Sequence, residues 1–336
     1  MAVNTTRWLV VCLHYNEPWE TFLSKAVRPY AEVVLQTGIA ERFFFERSWE
    51  KGPHIRLWFK STDFLLEKML LPNLKEHFQV YFDAKPSFLI LPAYSKAVAS
   101  DAKWHPNNSV QVLESEAMGL GEAHSETLSF LERQYNASSR IVLNLIRHNE
   151  GKWTQDERLG NAMKLHLSMF YACGLTLNEA QAFSVWAFQN WEAGHQNTSS
   201  GPGDYLEMRS ELQAAFELQR PDVLSYLTAT WELLKNYRQV ENVAFIRWIH
   251  INSKTSLELE TAILNKTITP LVAPLPAPHD IWPFYADFME KTNNRLGIIR
   301  KNEVGYLYFT LAQTLKQMSQ NAFGLLHAEY VKIHST

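Results

Sequence analysis

With 336 residues, 46% of them hydrophobic, the chain can bury a large core as one big domain or as two smaller lobes. Its net charge of −3 provides no global basic field, which excludes avid nucleic-acid binding by phosphate neutralisation. The apolar run near the start, WLVVCL, is too short for a membrane span or a signal peptide. The two cysteines, Cys12 and Cys173, read as buried thiols of a reducing compartment, so a cytoplasmic, membrane-free protein is expected.

The pattern opens with a strand over about Trp8 to Tyr15, then a helix entered at Pro18 and running to about Thr37. Period-two alternation in Phe43 to Trp49 and again in His54 to Lys60 predicts a hairpin closed by Glu50, Lys51, Gly52 and Pro53. A regular hairpin of that length sets Trp49 opposite His54, Arg47 opposite Arg56 and Phe45 opposite Trp58. Two opposed arginines repel unless something acidic lies between them, either a carboxylate of the fold or a negative or carbonyl-rich ligand. A helix from Thr62 to Phe78, kinked or split at Pro72, and short strands at Val80 to Phe82 and Phe88 to Leu91 complete an α+β portion over residues 1–120.

Beyond Gly121 the pattern turns helical: Glu122 to Arg147, Gln155 to Cys173, Thr176 to Trp191, Tyr205 to Gln219, Asp222 to about Ile251, Leu257 to Leu264, Pro283 to Gly297 and Val304 to Ile333. Thr176 with Glu179 spells a capping box and Gly194 a helix stop. Gly194 to Asp204 reads as a connector, and Pro270 to Pro283 as an extended loop. The expected fold class is α+β, an antiparallel or mixed sheet in the N-terminal part packed with a largely helical part over 121–336, the whole of 1–336 forming a single enzyme.

Several motifs carry little. Gly119-Leu120-Gly121 begins like a dinucleotide fingerprint but has His124 where a small residue belongs, and no P-loop or GxSxG elbow occurs. The twelve histidines show no ligand spacing, so neither metal nor cofactor is expected. Eleven tryptophans exceed an ordinary core's needs, and a groove lined by one or two would suit an extended peptide. Near the end, helical spacing puts Asp287, Glu290 and Asn294 on one face and Lys291 and Arg295 on another, either an ordinary solvated face or a polar patch that holds a peptide carbonyl or a proton. Tyr285 and Tyr306 are further hydroxyls nearby.

The hairpin segment FFFERSWEKGPHIRLWF resembles the signature FFxRYWxxGPHIRLRF of the thiopeptide-type bacteriocin biosynthesis family, which also supplies the C-terminal elimination domain of lantibiotic dehydratases. Arg47, Trp49, Gly52, Pro53, His54, Ile55, Arg56 and Leu57 match in order, and FMEKTNNRLGI, Phe288 to Ile298, is similar to the family's helix ending in Asn-Arg-Leu. The resemblance implies a cytoplasmic enzyme that tailors ribosomally made peptides already carrying glutamylated or dehydrated Ser and Thr.

The elimination branch is expected to use three further groups, a second arginine two residues after Arg56, an arginine in a Glu-Arg-Tyr-Gly-Gly segment and a histidine before Asn-Arg-Leu. Trp58, Ala117 and Glu290 stand there instead. Expelling glutamate needs a base for the α-proton and cations for the leaving carboxylate, so these departures disfavour ordinary elimination. The resemblance then implies the family's other branch, a pyridine-synthase-like formal [4+2] cycloaddition of two dehydroalanines with loss of water and leader. Arg56, His54 and Glu290 become the candidate catalytic residues, and Arg47, Trp58, Asn294 and Arg295 the candidate substrate-binding residues. The implied partner is a modified precursor peptide with its leader. A glutamate-eliminating partner of a separate dehydratase and a non-catalytic peptide-binding module are the alternatives; a homodimer is left open.

Overall fold

A computed structural model describes residues 6–88, 104–113, 125–196, 202–237, 241–268 and 276–334. The chain forms two compact units, Met1–Thr154 and Gln155–Thr336.

In the first unit strands β1 (Thr6–His14), β2 (Arg42–Ser48), β3 (His54–Thr62) and β4 (Ser109–Leu113) form an antiparallel sheet in the order β2-β3-β1-β4. Helices α1 (residues 20–36) and α2 (residues 63–84) supply the apolar partner of one face. There Leu9, Val11, Leu13, Phe43, Phe45, Ile55, Leu57 and Phe59 are buried, with Tyr30 of α1 edge-on to Phe59 at 6.0 Å and packed on Phe78 of α2. Each helix contains one π-helical turn, Leu23–Val27 and Leu66–Leu70, followed at once by Pro29 or Pro72. Proline neither donates to the carbonyl four residues back nor leaves it room, and the wider turn absorbs that conflict. Pro72 therefore does not split α2. The helix runs on to Ala84, so Val80 to Phe82, expected as a strand, is helical.

Helix α3 (Ser125–His148) covers the edge of β2, where Asn136 Oδ1 accepts from the Phe43 amide at 3.3 Å and Ser139 Oγ from the Phe45 amide at 3.1 Å. An edge strand's outward amides are thereby satisfied within the fold. From the same helix the buried Glu132 carboxylate holds Arg42 at 2.8 Å, Lys60 at 2.9 Å and the Trp8 indole N–H at 3.0 Å. α3 thus belongs with the sheet, which puts the division between units beyond residue 120.

The hairpin differs from its expected register by one residue. The ladder closes at Ser48 opposite His54, leaving residues 49–53 as the connection, with Lys51 (φ 56°) and Gly52 (φ 106°) both left-handed and the Gly52 amide donating to the Trp49 carbonyl at 3.1 Å. Glu46 now faces Arg56, Arg47 faces Ile55 and Phe44 faces Trp58. A slip of one residue exchanges the two faces, so Arg47 and Arg56 point to opposite sides of the sheet.

The second unit is helical: α4 (Gln155–Ala172), α5 (Leu177–Gln196), α6 (Pro202–Lys235), α7 (Val243–Leu264), α8 (Trp282–Leu296) and α9 (Lys301–His334). Thr176 and Glu179 make the expected capping box reciprocally, at 2.8 and 3.3 Å. Gly194 does not stop α5, which continues to Gln196. Pro221 lies inside α6, so the two helices expected around it are one, and the helix expected to reach Ile251 is divided by a new start at Asn242, whose side chain caps the Phe245 amide at 3.0 Å. Gly297 (φ 89°) ends α8 in the left-handed conformation, with the Ile298 amide donating to Asn293 O at 2.9 Å. Gly305 of α9 lets the Trp191 ring of α5 lie directly on the α9 backbone, in space that any Cβ would occupy. The strand expected at Phe88 to Leu91, the start of the helix expected from Glu122, Gly119 to Gly121 with His124, and Ala117 lie outside the described residues, except that Phe88 itself is not in a strand.

Candidate functional site

On the sheet face opposite α1, alternation aligns Trp8, Val10, Cys12 and His14 of β1 with His54, Arg56, Trp58 and Lys60 of β3. Glu132 occupies one end of this face. At the hairpin end Cys12, His14, Glu50, Lys51, His54, Arg56, His105, Gln111 and Leu113 enclose a cavity of ≈ 30 Å³. His105 is delivered by a segment whose amide donates to Lys51 O at 3.0 Å, and the neighbouring Trp104 ring lies where a Cβ added at Gly52 would just touch it. The left-handed turn and the imidazole at the cavity mouth are therefore fixed together.

Arg56 lies across the ladder from Cys12 on one side and Glu46 on the other, and its guanidinium contacts the Cys12 thiol. It donates to Glu50 at 3.0 Å and lies 5.7 Å from the centroid of the Trp58 ring, itself stacked on Phe44. Glu50 is largely exposed, so water screens this ion pair and leaves Arg56 able to meet a second acceptor.

Three imidazoles meet ring to ring, His14 with His54 at 4.7 Å and with His105 at 4.9 Å between centroids. Burial, followed by the fields of His54 and His105, pushes His14 down to about 3. His54 is lowered too, by burial first; the Gly52 carbonyl and Glu50 oppose the shift, and Arg56 and His105 add to it. Both rings are neutral at pH 7. Because a carbonyl only accepts, the 2.9 Å contact between His54 Nδ1 and Gly52 O fixes the Nδ1–H tautomer and leaves Nε2 an acceptor. His54 therefore takes a proton rather than polarising an oxygen. The rings meet at tilts of 42° and 51°, and no group of three or more His, Cys, Asp or Glu among the described residues is arranged for a metal ion.

Arg47 is not part of this cavity. On the opposite face it is buried, paired with Glu20 at 2.8 Å and set 5.8 Å from the Trp19 ring, which corrects the expectation that two arginines line one hollow.

The remaining candidates belong to α8 of the second unit. Glu290 is exposed, Asn294 half-buried and Arg295 fully buried. The buried polar residue that sequence reading passed over is Asn293, whose Oδ1 accepts from His166 Nε2 at 2.7 Å and whose amide is 3.4 Å from Tyr308 OH. Burial lowers His166 to about 4, so it is neutral and its proton sits on Nε2. Tyr285 shares a 2.6 Å hydrogen bond with Ser256, and Tyr306 donates to Gln219 at 3.0 Å, so both hydroxyls already have partners. Cys12, His14 and His105 were also missed. The parity of Cys12 and His14 along β1 was visible in the sequence, but their meeting with β3 depended on a register that was not.

Residues 8–315 match the family model described as "Lantibiotic biosynthesis dehydratase C-term". The chain belongs to this family, whose members tailor ribosomally made peptides and include elimination domains and pyridine synthases. Its fold is similar to that of a pyridine synthase, TbtD, from thiomuracin biosynthesis, at 17% identity and a TM-score of 0.70 over 92% of this chain and 97% of that one. It is likewise similar to TsrL, at 16% identity and 0.64 over 94% and 96%. The tRNA-dependent lantibiotic dehydratase MibB from Microbispora sp. 107891 matches at 16% identity and 0.55 over 96% of this chain, which spans 29% of that larger protein. No curated protein matches the sequence.

Proposed function

We propose that this protein tailors a precursor peptide containing dehydroamino acids, joining two dehydroalanines in a pyridine-synthase-like formal [4+2] cycloaddition with loss of water and leader. The observation that carries this reading is Trp58. Where glutamate elimination calls for a second cation, this chain has an indole stacked between Phe44 and Arg56, which leaves one guanidinium beside a neutral acceptor histidine. Near-complete mutual coverage with the pyridine synthase TbtD supports the same choice.

Such a reaction asks chiefly for positioning; holding two groups in a near-attack geometry is worth about 7–11 kcal/mol. In the proposed roles Arg56 holds an amide oxygen as charge grows on it, His54 Nε2 takes and returns a proton, and Trp58 supplies an aromatic wall. On α8 of the second unit, Glu290 is exposed and Asn294 half-buried, so each is a candidate for contacting the peptide there, whereas Arg295 is fully buried and out of its reach. Only a small group fits a cavity of ≈ 30 Å³, so the rest of the peptide lies outside it. Incubation with a precursor carrying two dehydroalanines, followed by intact-mass analysis, separates the readings. Leader loss with ring formation supports cycloaddition, loss of a glutamyl mass from a glutamylated precursor supports elimination, and binding without mass change supports a peptide-binding module.

A further inference from the structure

Three side chains that line the hairpin-end cavity each carry a buried nitrogen without a hydrogen-bond partner: His14 Nδ1, His54 Nε2 and Arg56 Nε. A buried polar atom left so costs about 1–3 kcal/mol, and three converging on one space point to something that bonds them all. The required chemistry is specific. Arg56 Nε–H only donates, His54 Nε2 only accepts, and His14 Nδ1 completes the set, so the occupant is both donor and acceptor. A space of ≈ 30 Å³ suits water, since one molecule needs about 10–15 Å³ and two to four polar partners. Burial is graded along the ring row: His54 and His14 are almost wholly enclosed, while His105 is half-buried.

We propose that His105, His14 and His54, joined by water held against Arg56 Nε, form a proton path between the half-buried side of the site and the acceptor nitrogen of His54. The path rests on the reading of His54 as the group that accepts a proton. A proton on His54 Nε2 passes to the bridging water as that water gives one of its own to His14 Nδ1. His14 then releases its Nε2 proton toward His105, so every N–H or O–H bond formed matches one broken and nothing is oxidised. Among the described residues, the other charged and titratable groups lining the cavity are Cys12 of β1, Arg56 of β3, and Glu50 and Lys51 of the turn, with Glu46 of β2 across the ladder from Arg56. His14 and His105 are positioning residues here, acting through His54.

The first test needs no turnover. In protein labelled with ¹⁵N-histidine, NMR should show His54 as the Nδ1–H tautomer and magnetisation transfer from long-lived water to the ring protons of both His54 and His14. His14→Leu should abolish that transfer at His54. An Nε2–H tautomer at His54, or no water transfer to either ring, overturns the path. With turnover of a dehydroalanine peptide in hand, His14→Ala and His105→Ala should each slow it, His14→Ala on the order of 10²-fold. Added imidazole should restore His14→Ala several-fold, a rescue that a purely structural loss would not show. Wild-type rates in both variants also overturn the path. If wild-type protein turns over no dehydroalanine peptide, the functional reading fails, while the NMR result still decides the path.

Discussion

Arg47 and Arg56 stand on opposite faces of the sheet, Arg47 against Glu20 and Trp19, Arg56 against Cys12, Glu50 and Trp58. The two matched arginines of the hairpin therefore have different jobs. Arg47 anchors the hairpin to α1, and Arg56 serves the cavity.

Removing the anchor should cost stability. Glu20→Gln leaves a buried guanidinium without its carboxylate; after discounting for Glu20's partial exposure, we expect a loss of about 1–3 kcal/mol. Urea unfolding would register it as a lower midpoint with an unchanged slope, and turnover by the folded enzyme should stay within about twofold. An unchanged midpoint would show that the pair contributes nothing.

Arg56→Gln should behave in the opposite way. Its partner Glu50 is 67% exposed, so stability should change by less than about 1 kcal/mol. Turnover should fall on the order of 10²-fold or more, as for loss of a donor to a developing oxyanion. Retained turnover would remove Arg56 from the chemistry.

Acid should destabilise the fold through histidines held neutral. His14 is lowered to about 3 and His166 to about 4, against an ordinary value of 6.5, so below pH 6.5 the unfolded chain binds protons that the folded one refuses. Stability is then complete above pH 6.5 and declines as pH falls toward 4, at about 1.4 kcal/mol per pH unit for each such histidine. Chemical denaturation across pH 4–7 should show this slope, and His14→Gln should flatten it. An equally steep slope in that variant would contradict the assignment.

Gly305→Ala puts a methyl group into the Trp191 ring and should lower stability by about 1–3 kcal/mol, read as a drop in Tm. A neutral result would mean that α5 and α9 can part without cost.

Much of this architecture could be read from the chain. A hairpin with a glycine in its turn, the capping box at Thr176 and a helix running to Gly297 each follow from local chemistry and are present, although the hairpin's register is shifted by one residue. What failed depended on non-local or backbone detail. A five-residue connection instead of four reversed the faces of β2, and no local pattern distinguishes the two lengths. β4 was missed because its exposed Val112 and short span give little alternation. Pro221 and Val80 to Phe82 misled because packing outweighs local propensity within long helices. For the site, Arg56, His54 and Trp58 were legible and do share a face, whereas the row of His14 and His105 needed strands and loops far apart in sequence to be brought together.

The most direct test is intact-mass analysis of wild-type protein and Arg56→Gln incubated with a leader-bearing precursor that contains two dehydroalanines. The wild type should yield a cyclised product lacking the leader and one water, and Arg56→Gln should yield little or none. A precursor that binds the wild type yet keeps its mass, or Arg56→Gln converting it at the wild-type rate, would contradict the account.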